Sequence, residues 1–156
     1  MNRSIRVAQA MVTLACALAT VAVASAAATK PSKLLSQRAK VVIAGTNDGT
    51  DVTDGSLAGK GTFKATGAIT DNGTALGYRT VKGDPSSAAG ALITLRFVTK
   101  GKKGTITYVV KIDTKAGTAR WTIASGTKAY EGLHGKGTES ENADFTVSTL
   151  KGTVSR

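Results

Sequence analysis

Few residues of this chain could carry out catalysis or bind a metal. His134 is the only histidine among the 156 residues, and it could act as a general base, but no partner that would orient its imidazole can be identified. The single cysteine, Cys16, lies in an apolar N-terminal run, so a transition-metal site has too few ligands. The sequence contains neither a G-x-S-x-G nucleophile turn nor a G-x-x-x-x-G-K-[ST] phosphate loop. We therefore predict no metal site and no cofactor, and we assign no catalytic residue.

Acidic residues form two groups that could do other chemistry. Three of them lie in the stretch NDGTDVTDGS: Asp48, Asp51 and Asp54. Their spacing differs from that of a calcium loop, in which alternate residues are ligands, so we expect ordinary turns here. Four more lie towards the C-terminal end: Glu131, Glu139, Glu141 and Asp144. Two of these could be the acid and base of a glycoside hydrolase, and solvated charges beside a turn explain them equally well.

The first residues have the layout of a secretory signal peptide. Arg3 and Arg6 precede an apolar run over 7–23, which ends in small residues over 24–28. We place cleavage after Ala26, with cleavage after Ala28 as the alternative, and we expect a secreted protein, extracellular or periplasmic. An uncleaved anchor or a lipoprotein is the rival interpretation. The Ala-rich end argues against the anchor, and the apolar run continuing past Cys16 argues against the lipoprotein. After cleavage we expect no membrane association.

The rest of the chain is predicted to be a flexible lead-in over 27–38 followed by one all-β domain over 39–156. Apolar side chains alternate with polar ones, which is the period of a half-buried strand. We predict strands at 39–45, 57–69, 75–82, 93–98, 105–112, 119–123, 135–139, 144–149 and 152–155. Asn72-Gly73, Lys100-Gly101, Ala116-Gly117 and Asp54-Gly55 are the expected hairpin turns. About eight short antiparallel strands indicate a barrel or a sandwich, and glycines within the strands favour the barrel.

Strand parity separates the aromatic residues from the basic ones. Four rings share parity with Leu and Ile and are expected to face the core: Phe63, Phe97, Tyr108 and Trp121. The outward parity carries Lys60, Lys64, Lys111, Arg120 and Lys136, and Lys100, Lys102 and Lys103 form a basic hairpin tip. With a net charge of +11, these cations could attract an anionic envelope polymer. Single-strand nucleic-acid modules expose aromatic rings beside their basic groups, so we predict no nucleic-acid partner.

The most specific segment is GTKAYEGLHGKGT at 126–138, which follows the strand RWTIAS. It resembles the allene oxide cyclase and dirigent β-barrel superfamily, in particular its secreted bacterial members of unassigned function. They share a W-x-I strand, a Gly-Thr-Gly-x-aromatic turn and a Gly-rich return strand. The matching residues here are Trp121, Ile123, Gly126, Thr127, Tyr130, Gly132, Leu133, Gly135, Gly137 and Thr138. Lys128 stands where the family usually has its second glycine.

The resemblance implies an eight-stranded antiparallel barrel, lipocalin-like in shape, whose lumen can hold one small apolar molecule. The ligand-contacting candidates are the four inward rings Phe63, Phe97, Tyr108 and Trp121. The turn residues Gly126, Thr127, Tyr130, Gly132 and Gly135 are expected to be structural, with Tyr130 as a plug at the barrel end. Relatives of this kind often form homo-oligomers, and the sequence leaves that open here.

We therefore predict a non-enzymatic module that binds a small apolar ligand inside the barrel. One alternative is an isomerase or cyclase of the allene oxide cyclase type, and another is a cationic envelope protein that binds anionic polymers. A lumen packed solid by apolar side chains would exclude both ligand and substrate. An open pocket with converging polar groups would favour the enzyme.

Overall fold

The computed structural model describes residues 36–47 and 52–156 of the chain. Within them, eight strands form one closed antiparallel barrel in which each strand pairs with its neighbours in sequence and the first pairs with the last. The strands are β1 (Gln37–Asn47), β2 (Asp54–Gly67), β3 (Asp71–Gly83), β4 (Ala91–Gly101), β5 (Thr105–Asp113), β6 (Thr118–Gly126), β7 (His134–Glu141) and β8 (Val147–Ser155). A single turn of 3-10 helix, Lys128–Tyr130, lies between β6 and β7. The predicted eight-stranded barrel is confirmed.

Several predictions made above concern residues outside this description. The signal segment 1–26, most of the lead-in, Asp48 and Asp51 all lie there. Strand β1 begins at Gln37, two residues before the predicted start of the barrel domain. Over 36–47 and 52–156, no helix has the length and apolar character needed to cross a bilayer.

The strands form where the sequence alternates. In β5, the buried side chains of Ile106, Tyr108 and Val110 alternate with partly exposed neighbours. Such alternation places one set of side chains in the lumen and the other in solvent, because successive residues of a strand point to opposite faces. Closure of the sheet then leaves none of its eight strands with an unpaired edge.

A tryptophan is packed into the barrel interior. The Trp121 side chain is only 1% exposed, its ring packs edge-on against Tyr108 with 5.9 Å between ring centroids, and its indole N–H donates to the Lys151 carbonyl at 3.1 Å. A Cβ on Gly152 would lie 2.7 Å from the Trp121 ring, so glycine is required for this close approach. The strand β8 runs through Gly152 without a break, so the prediction of two separate strands at 144–149 and 152–155 was wrong.

Two of the hairpin predictions were also wrong. Asp54 and Gly55 are the first two residues of β2, where Asp54 pairs with Thr80 of β3. Asn72 and Gly73 lie within β3, whereas the turn that precedes β3 follows Gly67, whose φ is +88°. A Cβ on Gly73 would overlap the carbonyl oxygen of Lys100 on β4, so this glycine permits two strands to approach closely. The Ala116-Gly117 prediction is confirmed, because Gly117 has φ +61° in the connection between β5 and β6.

The connections group at the two ends of the barrel. The β2–β3, β4–β5 and β6–β7 connections lie at one end, which we call the closed end. The β1–β2, β3–β4, β5–β6 and β7–β8 connections lie at the other, which we call the open end. The two ends differ in how the lumen is filled, and that difference defines the candidate site.

Candidate functional site

A tyrosine and an aspartate seal the closed end. Tyr130, on the 3-10 turn, is 6% exposed, and its hydroxyl donates to Asp71 Oδ2 at 2.9 Å. Asp71 also accepts backbone N–H bonds from Asn72 at 2.9 Å, Lys102 at 3.2 Å and Lys103 at 3.1 Å. This one carboxylate therefore ties three connections of the barrel together.

The ionised form of Asp71 is the one that these contacts stabilise. Burial would raise the pKa of the Asp71 carboxyl, but the hydrogen bonds from Lys103, Tyr130, Asn72 and Lys102 together lower it below its ordinary value. Asp71 was not identified from the sequence, where it reads as one more turn residue.

The segment 126–135 forms the turn between β6 and β7, and this is the part of the chain that resembles the Gly-Thr-Gly-x-aromatic turn described above. Gly126 ends β6, Thr127 precedes the 3-10 turn, and Gly132 has φ +70° before β7 begins. Gly135 faces inward in β7, where a Cβ would lie 3.0 Å from the Trp121 ring. Lys128 has φ +55°, a left-handed conformation that favours glycine. This is the position at which the resemblance leads one to expect glycine.

A cavity of about 550 Å³ occupies the open half of the lumen. Its wall is mostly apolar, with Ile43, Ala75, Ile93, Leu95, Phe97 and Ile112 pointing inward from β1, β3, β4 and β5. Small residues leave the space free, because Gly45 and Gly77 stand at inward positions where a larger side chain would protrude. Pockets that bind small molecules typically range over about 300–1,000 Å³.

The mouth of the cavity is bordered by connections at the open end. Pro85, Thr114 and Phe145 line it from the β3–β4, β5–β6 and β7–β8 connections. Phe145 is 68% exposed and has φ +55°, which is unusual for an aromatic residue. Asn142 holds this turn, since its Oδ1 accepts the backbone N–H groups of Thr146 and Val147, each at 2.9 Å.

The four predicted ring positions all lie in the barrel interior, but they differ in their relation to the cavity. Phe97 lines it. Phe63, Tyr108 and Trp121 are buried in the core without lining it. Their contact with a ligand stays a prediction.

Polar side chains occupy one part of the cavity wall. Arg79 on β3, Glu141 at the end of β7 and Ser148 on β8 all line the cavity. The Ser148 hydroxyl donates to Glu141 Oε1 at 3.4 Å. Burial raises the pKa of Glu141, and the Ser148 hydrogen bond and the positive charge of Arg79 oppose that shift.

Glu139 lies one inward position deeper than Glu141 on the same strand. It is 8% exposed, and its Oε1 finds no hydrogen-bond partner among the described residues. Burial, and then repulsion by Glu141, raises the pKa of Glu139 to about 7, although the nearby Ser148 hydroxyl opposes the shift. A buried carboxyl group with a raised pKa therefore lies one inward position below Glu141, which lines the cavity.

Only part of the acidic cluster predicted from sequence comes together. Glu139 and Glu141 share the lumen, whereas Glu131 and Asp144 are exposed in the connections on either side of β7. His134 is exposed at the start of β7. No group of three metal-ligating side chains occurs within residues 36–47 and 52–156. The sequence analysis did not identify Arg79 and Ser148 as site residues. Strand parity could have identified them, because Arg79 has the same parity as the inward Ala75 and Ser148 has the same parity as the inward Leu150.

The cations predicted to face outward are exposed, namely Lys60, Lys64, Lys111, Arg120 and Lys136, and so are Lys100, Lys102 and Lys103. Two like-charged pairs lie directly opposite each other across neighbouring strands. Lys40 of β1 is the register partner of Lys151 of β8, and Lys111 of β5 is the partner of Arg120 of β6. Thr138 of β7 pairs with both Lys151 and Arg120, so a single register row joins all four cations.

Comparison of this chain with protein-family models, with curated proteins and with solved structures finds no match.

Proposed function

We propose that the protein is a secreted binding module that holds a small, mainly apolar molecule in the open half of its barrel. The observation that carries the proposal is the cavity of about 550 Å³ lined by inward Ile, Leu and Phe side chains. An apolar wall of this kind favours an apolar ligand, because binding removes apolar surface of both partners from water. The allene oxide cyclase and dirigent resemblance points in the same direction.

Phe145 extends the proposed site at its mouth. Its ring borders the cavity and is 68% exposed, while the hydrogen-bonded turn around Asn142 holds it at a positive φ. A large apolar side chain kept in water at the entrance can cover a ligand after entry. We therefore expect Phe145→Ala to speed ligand release more than it slows binding.

The test is displacement of a neutral fluorescent probe, N-phenyl-1-naphthylamine, together with native mass spectrometry of the protein secreted by its own host. Ala75→Leu fills the cavity from β3, and Thr74→Leu places the same side chain on the exposed face of the same strand. We expect Ala75→Leu to weaken probe binding at least tenfold and Thr74→Leu to leave it unchanged. Equal binding by the two variants would refute the proposal.

The proposed secretion depends on the segment 1–26, outside the described residues. N-terminal sequencing of the protein recovered from the medium or periplasm tests it. We expect a mature chain that begins at Ala27.

An isomerase or cyclase is a second candidate, favoured by the polar groups Arg79, Glu141 and Ser148 in a mostly apolar wall. Such groups could stabilise charge that develops on a substrate held in a dry pocket. An isomerase would return its ligand with unchanged mass and altered chromatographic retention. Loss of that conversion in Arg79→Gln, with probe binding retained, would distinguish catalysis from binding.

Attraction to an anionic envelope polymer is a third candidate, favoured by the outward cation row Lys40, Lys151, Arg120 and Lys111. Like charges directly opposite each other in a sheet are destabilising, and adjacent strands are about 4.8 Å apart. A linear polyanion along the row would relieve that repulsion. We expect the double variant Lys40→Gln/Lys151→Gln to elute from heparin at lower salt than Lys82→Gln/Lys100→Gln, which removes the same charge from β3 and β4. Equal elution of the two would exclude a role for the row.

A further inference from the structure

One part of the cavity wall consists of backbone alone. Four glycines line the cavity from three neighbouring strands: Gly45 of β1, Gly59 and Gly61 of β2, and Gly77 of β3. Gly45 is the register partner of Gly61, and Gly59 is the register partner of Gly77. Gly59 and Gly61 are two residues apart on one strand and therefore share a face. The four positions form one continuous area without side chains, which we call the glycine patch.

The glycine patch is large enough to lie under two or three fused rings. It crosses three strands that are about 4.8 Å apart, and it extends over two residues of one strand, a distance of about 6.8 Å. It therefore measures roughly 10 Å by 7 Å. Ala75, the register partner of Gly61, also lines the cavity and adds only a methyl group at the edge of the patch. No long side chain projects from this area to hold a ligand away from the backbone.

Packing of the strands does not account for every glycine of the patch. A Cβ on Gly61 would overlap the Ala44 carbonyl oxygen, so glycine is required there for the close approach of β1 and β2. A Cβ on Gly77 would meet nothing closer than the Phe97 ring at 3.4 Å, which is an ordinary van der Waals contact, and the φ of Gly77 is not positive. Alanine would therefore fit the fold at this position. Glycine weakens a strand interior, and it often marks a place where a ligand approaches the backbone.

We propose that the cavity takes a planar molecule of two or three fused aromatic rings, which lies against the glycine patch with Phe97 beside it. This proposal rests on ligand binding in the cavity, as set out under the proposed function. Dispersion attraction requires the atoms of both surfaces to be at contact distance, so a planar ring system gains most from a wall without projections. Phe97, the register partner of Gly77, also lines the cavity, and aromatic rings attract each other in offset or edge-on arrangements.

The experiment compares three neutral alcohols that share the same number of carbon atoms. 2-Naphthol is planar, decahydro-2-naphthol has the same two rings in saturated and puckered form, and 1-decanol is a flexible chain. Equilibrium dialysis against the mature protein gives a dissociation constant for each of them. We expect 2-naphthol to bind at least about tenfold more tightly than decahydro-2-naphthol. Burial of apolar area alone would give the opposite order, because the saturated alcohol has the larger surface.

Two variants test whether the glycine patch is the place of contact. Gly77→Ala adds one methyl group to the patch and should weaken 2-naphthol binding at least about fivefold, whereas binding of 1-decanol, which can bend around the methyl group, should change less than about twofold. Ser148→Thr adds one methyl group to the cavity wall on β8, outside the patch. This control should leave the ratio of the 2-naphthol and decahydro-2-naphthol dissociation constants unchanged.

The outcomes separate this inference from the proposed function. If decahydro-2-naphthol or 1-decanol binds as tightly as 2-naphthol, the planar-ring proposal is overturned and apolar binding stands. If none of the three alcohols binds, both fail. Equal losses of 2-naphthol affinity in Gly77→Ala and Ser148→Thr would also overturn the assignment to the glycine patch. The comparison of the three alcohols uses the unmodified protein, so it decides the proposal even where Gly77→Ala does not fold.

Discussion

Replacing Glu139 by glutamine should stabilise the barrel at pH 8 and leave its stability at pH 4 unchanged. The folded protein holds a proton on Glu139 up to about pH 7, whereas the unfolded chain releases it near the ordinary value of 4.5. The folded state thus binds more protons than the unfolded state between these two values. Stability contributed by this group is complete below pH 4.5, falls as the pH rises, and is lost above pH 7.

The size of the effect follows from the same two values. Each pH unit between them is worth about 1.4 kcal/mol, so the interval from 4.5 to about 7 corresponds to a loss of about 3 kcal/mol in the free energy of unfolding. Glutamine keeps the size of the side chain and cannot ionise. Its amide oxygen takes the place of the unpartnered carboxyl oxygen. The cost of burying an oxygen without a hydrogen-bond donor is therefore the same in both proteins. The variant should therefore gain up to about 3 kcal/mol at pH 8.

Urea unfolding followed by tryptophan fluorescence measures this difference. Trp121 is the only tryptophan in the chain and is buried in the barrel, so its emission reports loss of the core. Urea is uncharged and does not screen the interactions under test. The pH range 4.5 to 8 avoids Asp71, whose lowered pKa removes stability only as the pH falls below the ordinary carboxyl range.

Two controls accompany the measurement. Glu131→Gln changes an exposed carboxyl and should leave the pH profile as it is in the unmodified protein. Glu141 contributes in the same direction as Glu139, because burial also raises its pKa, so a residual slope in Glu139→Gln is expected. If Glu139→Gln and the unmodified protein lose stability in parallel from pH 5 to pH 8, the assignment of a buried, protonated carboxyl is refuted.

Three further substitutions test the packing of the barrel by urea or thermal unfolding. Tyr130→Phe removes the hydroxyl that donates to Asp71 and should cost about 1.5–3 kcal/mol; an unchanged midpoint would mean that the plug is not held by this bond. Lys128→Gly relieves the positive φ of 55° and should add about 0.5–1 kcal/mol, whereas Lys128→Ala should not stabilise. Gly137→Ala puts a Cβ 2.7 Å from the Trp121 indole nitrogen and should cost at least about 1–3 kcal/mol, with an altered near-UV circular dichroism; a variant as stable as the parent would contradict the packing described.

The barrel itself could be predicted because its apolar strands alternate clearly. In β5, Ile106, Tyr108, Val110 and Ile112 share one face, and no helical arrangement would bring them together. Burial of such a face is the main driving force for folding, so the pattern and the observed strand agree. The inward direction of the four predicted rings follows from the same parity.

The polar part of the site was harder to predict for a physical reason. Strand β7 has the sequence HGKGTESE, in which the inward positions are Gly135, Gly137, Glu139 and Glu141. Two of these carry no side chain because the Trp121 ring occupies the space next to them. The other two carry carboxyl groups, and of these Glu141 lines the cavity whereas Glu139 lies deeper in the barrel. Neither situation produces the apolar alternation by which a strand face is recognised from sequence.

Glycines serve both halves of the lumen, with opposite results. In the closed half, Gly137 and Gly152 leave room that the buried Trp121 ring fills. In the open half, Gly45 and Gly77 also leave room, and there a cavity remains. Filling it with larger aliphatic residues would bury more apolar surface, at about 25 cal/mol for each Å². This stabilisation by apolar burial is missing only in the open half of the barrel. A molecule bound in the cavity would supply it by covering the same apolar surface.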